Sequence, residues 1–420
     1  MSLWDGSMHD SSTSSGMGLS RNELESFVCR ANDVIDIKLV RQESDLENNK
    51  TTFRPELTHQ VFGETENIFG YKDLVVKLYY TAGRLTTYLN MSYSQKVDPV
   101  RHEGMQADEV LKNIAEKIPP GFCTNIDDFS MYIPKEATFQ PYGTLLHSYK
   151  RETEGGDRQF EIYKADMSIP GFREFHERLQ MFVLWFIDAG SFIDVDDEKW
   201  NYYLIFEKYA CDGNHRYATV GYLTAYSYYA YPDKLRPRIS QVLVLPPFQR
   251  LGHGVELLQT AYRDMRENND VLDITVEDPS EEFLRLRDFV DCMNCKVLPA
   301  FSPQLLQDGF TADMAQQAQE KLKINKKQAR RVYEILRLEQ TDISNAAAFR
   351  EFRLDVKRRL NAPFRKESSY IEKLRKVLKP EELVVAMEDF SVENRQAKLE
   401  EMFQDNLTHY KRVLDRLAVA

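Results

Sequence analysis

A carboxylate able to take a proton from an ammonium group, close to amides able to hold a phosphate, is the chemistry that residues 240–290 can perform. The carboxylate is Glu277, in Val271-Leu272-Asp273-Ile274-Thr275-Val276-Glu277-Asp278. Alternation along a strand puts Leu272, Ile274 and Val276 on one face and Asp273, Thr275 and Glu277 on the other. Asp278 then points away from Glu277 and, with Ser280, suits the start of the next helix. The amides come from Gln249-Arg250-Leu251-Gly252-His253-Gly254. That hexapeptide follows an apolar run at 242–245, ended by Pro246 and Pro247, which cannot donate backbone hydrogen bonds. It opens a helix whose apolar face reads Val255, Leu258, Tyr262 and Met265. Bare N–H groups and the positive end of a helix dipole suit a phosphate.

Two common phosphate loops do not fit. A dinucleotide fingerprint needs a third glycine where Leu257 stands, and a Walker loop needs a lysine and a hydroxyl where Val255 and Glu256 stand. The pattern Gln/Arg-x-x-Gly-x-Gly/Ala does match, and resembles the coenzyme A pyrophosphate loop of the GCN-five-related N-acetyltransferases. A helix start that needs glycine for close packing is the other reading. Amine acetylation gives Glu277 a task. A lysine with pKa ~10.4 is almost wholly protonated at neutral pH, and only the neutral amine attacks a thioester.

Longer segments extend the resemblance. VLVLPPFQRLGHG, LDITVEDPS, LRLRDFV, ERLQMFVLWFIDAGSFIDVDDEKW and GYLTAYSYYAYPDKLRPR look like the catalytic subunit of type B histone acetyltransferases, from about Asp36 to beyond Arg359. The resemblance implies an α+β acetyl-CoA N-acyltransferase fold, a mixed central sheet flanked by helices, with an N-terminal α/β domain and a C-terminal helical region. It implies acetyl-CoA as co-substrate, with Val242, Leu243, Val244, Gln249, Arg250, Leu251, Gly252, His253, Gly254 and Arg285 binding it. Asp188 stands where the family has a catalytic Glu and is one methylene shorter; Asp278 joins Glu277 and Asp188 in the catalytic set. Glu64, Thr65, Glu66, Tyr226, Ser227 and Tyr228 match histone-contacting segments, although core packing is the more frequent role of a Tyr-rich strand. The implied substrate is the N-terminal tail of free, newly made histone four, at its fifth and twelfth lysines, with its histone three partner. A WD-repeat histone chaperone of the retinoblastoma-binding type, and a place in nucleus and cytoplasm, follow from the resemblance alone. Another basic protein, a polyamine, or a non-catalytic histone scaffold are the rival readings.

These residues need a scaffold, and 420 residues suffice for two or three domains. Residues 1–20, rich in Ser and Gly, read as a disordered tail; 21–143 as the N-terminal α/β domain; 144–300 as the acetyltransferase core; and 301–420 as helices. In the first domain, expected elements are a helix at 22–31, a strand at 35–40, a hairpin at 74–93 and a helix at 108–117. In the core they are a long helix at 171–190 and strands at 160–165, 201–209 and 219–231. Helices at 312–340, 345–360, 366–378 and 381–418 follow. No apolar run approaches the ~18 residues of a membrane span. Five scattered cysteines suit reduced thiols, and Cys292-x-x-Cys295 lacks partners for zinc; no metal is expected. The net charge of −11 is uneven: residues 320–379 hold 18 Lys/Arg against 8 Asp/Glu, so the remainder is strongly acidic and favours a cationic substrate. Lys326-Lys327 and Arg330-Arg331 could form a nuclear localisation signal or a DNA contact.

Overall fold

The computed structural model describes residues 24–101, 104–153, 156–211, 213–365 and 392–419. The expected tail, the helix at 366–378 and the start of the helix at 381–418 lie outside them. The chain forms two compact units, Met1–Phe139 with Glu174–Phe192, and Gln140–Arg173 with Ile193–Ala420. Two domain boundaries therefore change. Most of the helix expected at 171–190 belongs to the first unit, and the C-terminal helices join the second rather than standing apart.

In the first unit, β1 (Ile35–Val40) is central to a sheet with β2 (Thr52–Phe53), β3 (Val75–Thr81) and β4 (Thr87–Ser92). β1 runs parallel to β3, and β3–β4 is the expected hairpin. The stretch at 22–31 is not one helix, because Val28–Arg30 pairs as a strand with Asn67–Phe69. The 171–190 stretch is shorter and broken: α1 (Phe172–Leu179), a 3-10 turn (Gln180–Phe182) and Val183–Phe186. Burial of Trp185, and the ring of Phe182 packed 4.8 Å from Tyr80, take precedence over helical continuity.

The second unit is built on six strands: β5 (Thr144–Thr153), β6 (Gly156–Ala165), β7 (Trp200–Cys211), β8 (Asn214–Ala230), β9 (Lys234–Val244) and β10 (Thr275–Val276). They lie in the order β10-β9-β8-β7-β6-β5, antiparallel except for β9–β10. Tyr202, Tyr203, Leu204, Ile205 and Phe206 are all buried, so β7 is covered on both faces. Helices α2 (His253–Glu267) and α3 (Glu281–Lys296) follow β9 and β10. Cys292 and Cys295 lie buried in α3, where desolvation pushes both thiols up and keeps them protonated.

Among the described residues, four long helices follow: α4 (Ala312–Leu322), α5 (Lys326–Glu339), α6 (Ala346–Leu360) and α7 (Val392–Leu417). The single helix expected at 312–340 breaks because Lys323 takes a left-handed conformation (φ 56°) and Asn325 caps α5. Two buried carboxylates, Glu334 and Asp288, tie these helices together. Glu334 accepts both 2.8 Å bonds of a bidentate pair from Arg359, a 3.0 Å bond from Arg330 and one from the Tyr410 hydroxyl. Asp288 accepts from Arg331 at 2.6 Å and His409 at 2.7 Å. Arg330 and Arg331 are thus committed to the interior, which removes them from the exposed basic motif expected at 326–331. Glu334→Ala would leave Arg359 without its buried counter-charge, at a cost of about 3–5 kcal/mol, whereas Arg330 keeps Asp355 at 2.8 Å. Hydrogen exchange should show α5, α6 and α7 losing protection together, with the β5–β8 sheet unaffected.

Candidate active site

β9 carries one more residue than β8 between Leu223 and Ala225, which face Val242 and Ile239. This bulge reverses the alternation of the strand beyond it. At the other edge, β10 follows β9 only as far as Ile239, whose carbonyl accepts the Glu277 N–H at 2.9 Å. Beyond that point the strands part, and β9 continues to Val244 without β10. Leu245 N–H bonds back to Val220 of the β8 side. By alternation Leu243 also faces β8, so only Val242 and Val244 turn backbone groups to the open edge. Leu243 therefore differs from the expected coenzyme set: its backbone is used within the sheet. The Val244 carbonyl is met at 3.0 Å by the side chain of Gln249.

The loop after β9 is held in an unusual backbone. Arg250 (φ 64°) and Gly252 (φ 83°) are both left-handed, and Gly252 starts α2 without a side-chain cap. The N–H groups of Gly252, His253 and Gly254 find no acceptor among the described residues. Gly254 answers to packing instead, since a Cβ there would stand 3.1 Å from Leu286 of α3. The His253 side chain is not a phosphate ligand. It turns inward, 1% exposed, packs tilted against Phe160 with ring centres 4.2 Å apart and shares a 2.8 Å hydrogen bond with Tyr149. Burial, reinforced by Arg151 and Arg158, lowers its pKa to about 4, so it stays neutral at physiological pH.

Sequence reasoning missed Arg151, which lies 100 residues from the loop on β5. Its Nε donates to the Leu251 carbonyl at 3.0 Å, and its guanidinium borders Gly252. Glu256 takes the other end at 2.6 Å and also meets His147 at 3.2 Å. The result is a cation anchored under a row of free amides, an arrangement suited to a diphosphate.

Glu277 is exposed at the fork where β9 and β10 separate, and no described side chain pairs with its carboxylate. Asp278 (φ 28°) lines a separate cavity that Glu277 does not reach. Asp273 does not share Glu277's setting: it is buried against Arg236, with one bond at 3.0 Å. Arg285 pairs with Glu281 and Glu282 of its own helix. Tyr226, Ser227 and Tyr228 form the outer end of β8 and are partly or fully exposed rather than core. Tyr226 donates to Asp197 at 2.7 Å, Ser227 accepts from Asn201 at 3.1 Å, and Arg238 lies 4.7 Å above the Tyr228 ring.

The remaining candidates belong to the first unit. Asp188, 80% exposed in its side chain, approaches His59 at 3.6 Å just past the last helical turn. Glu64 and Thr65 are exposed. Glu66, by contrast, is a structural residue. Its carboxylate accepts from Thr58 N–H at 2.7 Å and from Arg30 and Asn32, and the Thr58 bond leads in lowering its pKa.

Known proteins match this chain along most of its length. The family described as Acetyltransferase (GNAT) covers residues 160–288, "Histone acetyl transferase HAT1 N-terminus" covers 27–188, and "Histone acetyltransferase type B catalytic subunit, C-terminal" covers 287–338. Histone acetyltransferase type B catalytic subunits of Rattus norvegicus and Homo sapiens are each 52% identical over 398 residues, covering 94% of this chain and 95% of theirs. That of Cryptococcus neoformans is 33% identical over 375 residues, 80% of this chain and 89% of the relative.

Loss of Arg151 should weaken the hold on a coenzyme diphosphate without touching the reacting atoms. For Arg151→Ala the KM for acetyl-CoA should rise roughly tenfold, as expected for one charge-assisted contact, while kcat changes little. Steady-state kinetics at saturating peptide checks this.

Proposed function

Because the chain belongs to the histone acetyltransferase type B catalytic subunits, we propose that it moves the acetyl group of acetyl-CoA to the fifth and twelfth lysines of the free histone four tail, with Glu277 as general base. The observation that carries this reading is the exposed Glu277 carboxylate at the fork of β9 and β10, next in the sheet to the strand that leads into the Gly252–Gly254 amides. Glu277 takes a proton from the lysine ammonium, directly or through one water. The neutral nitrogen attacks the thioester carbonyl, and a C–N bond forms. A backbone N–H of Val242 or Val244 donates to the oxyanion. The C–S bond then breaks, and the departing thiolate takes the second proton of the amine. No covalent acetyl-enzyme enters this route.

The tyrosine-rich end of β8 suits a basic tail, since aromatic faces attract ammonium and guanidinium groups. Tyr226, Ser227 and Tyr228 are its assigned contacts there, with Asp197 beside them carrying negative charge. On the strength of family membership Glu64 and Thr65 are assigned to substrate binding, and Asp188 is assigned to assisting deprotonation of the substrate lysine, through water. Histone three as the partner of histone four, a WD-repeat chaperone presenting the pair, and residence in nucleus and cytoplasm belong to the same reading.

Glu277→Gln keeps size and backbone but cannot accept the proton. Acetyl transfer to a histone four tail peptide should fall about 10²–10⁴-fold near pH 7, the usual share of a general base. Coenzyme A affinity should stay within twofold of the parent. Mass spectrometry of the peptide should find the label on the fifth and twelfth lysines. Unchanged turnover in the variant would remove Glu277 from the mechanism, and label elsewhere would revise the substrate assignment.

A further inference from the structure

Behind β10, on the side lined by Asp278, the second unit has a half-open cleft of about 820 Å³. That size is typical of a small-molecule site. Its lining is not typical of one: Val276, Pro279 and Leu284 are the only large apolar contributions, whereas Arg238, Arg287, Lys327, Arg331 and Arg359 supply five cations against one carboxylate, Asp278.

The cations differ in how far they are already neutralised. Arg331 is held by Asp288 at 2.6 Å and Arg359 by Glu334 at 2.8 Å, both through carboxylates on the helix side. Arg287 is 7% exposed; it donates to the Ile274 carbonyl at 3.2 Å, while its Nε faces Asp291 at 3.4 Å without hydrogen-bond geometry. Among the described residues Arg238 has only the Tyr228 ring as partner, and Lys327 is exposed with no partner. Two open cations, a buried guanidinium and the N-terminus of the 14-residue α5 therefore converge on one space. Burying charge in this way costs free energy unless an anion compensates.

We propose that this cavity binds a compact polyphosphate anion, at a site separate from the one that holds the coenzyme diphosphate. Arginine and lysine together, spread around a space too small for a folded partner, match a ligand carrying several phosphates on a small frame. An apolar ligand has little here to contact, and a lysine-bearing tail meets like charge. The inference does not depend on the role given to Glu277.

The test is calorimetric titration of the full chain with inositol hexakisphosphate and, separately, tripolyphosphate, at about 150 mM salt with saturating coenzyme A present. One anion should bind per chain in the presence of the coenzyme. Lys327→Glu should weaken binding at least tenfold, and adding Arg238→Gln should weaken it further. Lys117→Glu makes the same charge change at an exposed residue that does not line the cavity, and should leave affinity within threefold. Lys327→Glu should retain basal acetyl transfer, which shows that it is folded. Absence of binding, displacement of the anion by coenzyme A, or equal losses in Lys327→Glu and Lys117→Glu would each overturn the proposal.

Discussion

The second unit depends on two neighbouring parallel strands that start paired and then part. β9 and β10 share backbone bonds at Ile239 and Glu277 and nothing beyond. A continuous ladder would have used the backbone groups of Val242 and Val244 on another strand and covered the place where Glu277 emerges. Separation leaves both available at the same end of the sheet. The bulge opposite Thr224 belongs to the same device, because it decides which residues of β9 face outward once the pairing stops.

Around that opening, charge is arranged in layers with distinct jobs. Arg151 reaches the loop from a strand far away in sequence and is balanced by Glu256, so the loop is braced before any ligand arrives. His253, despite its place in the loop, supplies packing and stays neutral. Deeper in, Asp288 and Glu334 tie α3, α5, α6 and α7 together through Arg331 and Arg359 and through His409 and Tyr410 of α7. The helices after residue 301 are thereby part of the same folded body as the coenzyme loop.

Much of this was legible from residue order. Strands dense in Tyr, Val and Ile announced β6 through β9, and the Gly-x-Gly pattern marked the turn into α2; the left-handed backbone at Gly252 comes from the structure. Glu277 was found because alternation alone distinguishes it from Asp278. Other features had no local signal. Glu64 and Glu66 occupy one loop with similar neighbours, yet only Glu66 folds back onto Thr58, Asn32 and Arg30. The break at Lys323 involves neither glycine nor proline, so periodicity ran straight through it. Arg151 is invisible as a loop residue because its contact spans 100 positions. The bulge in β9 has no local signal either, because it adds a residue without changing composition.

Gly254 carries a consequence of its own. Its missing side chain is where Leu286 rests, so the Gly252–Gly254 turn leans directly on the helix leaving the strand of Glu277. On the proposed reading, grip and chemistry are therefore not tuned independently. A shift of α3 by a fraction of an ångström would then reach both the amides proposed to cradle the coenzyme and the proposed base, tying how firmly the donor is held to how well the acceptor is unloaded.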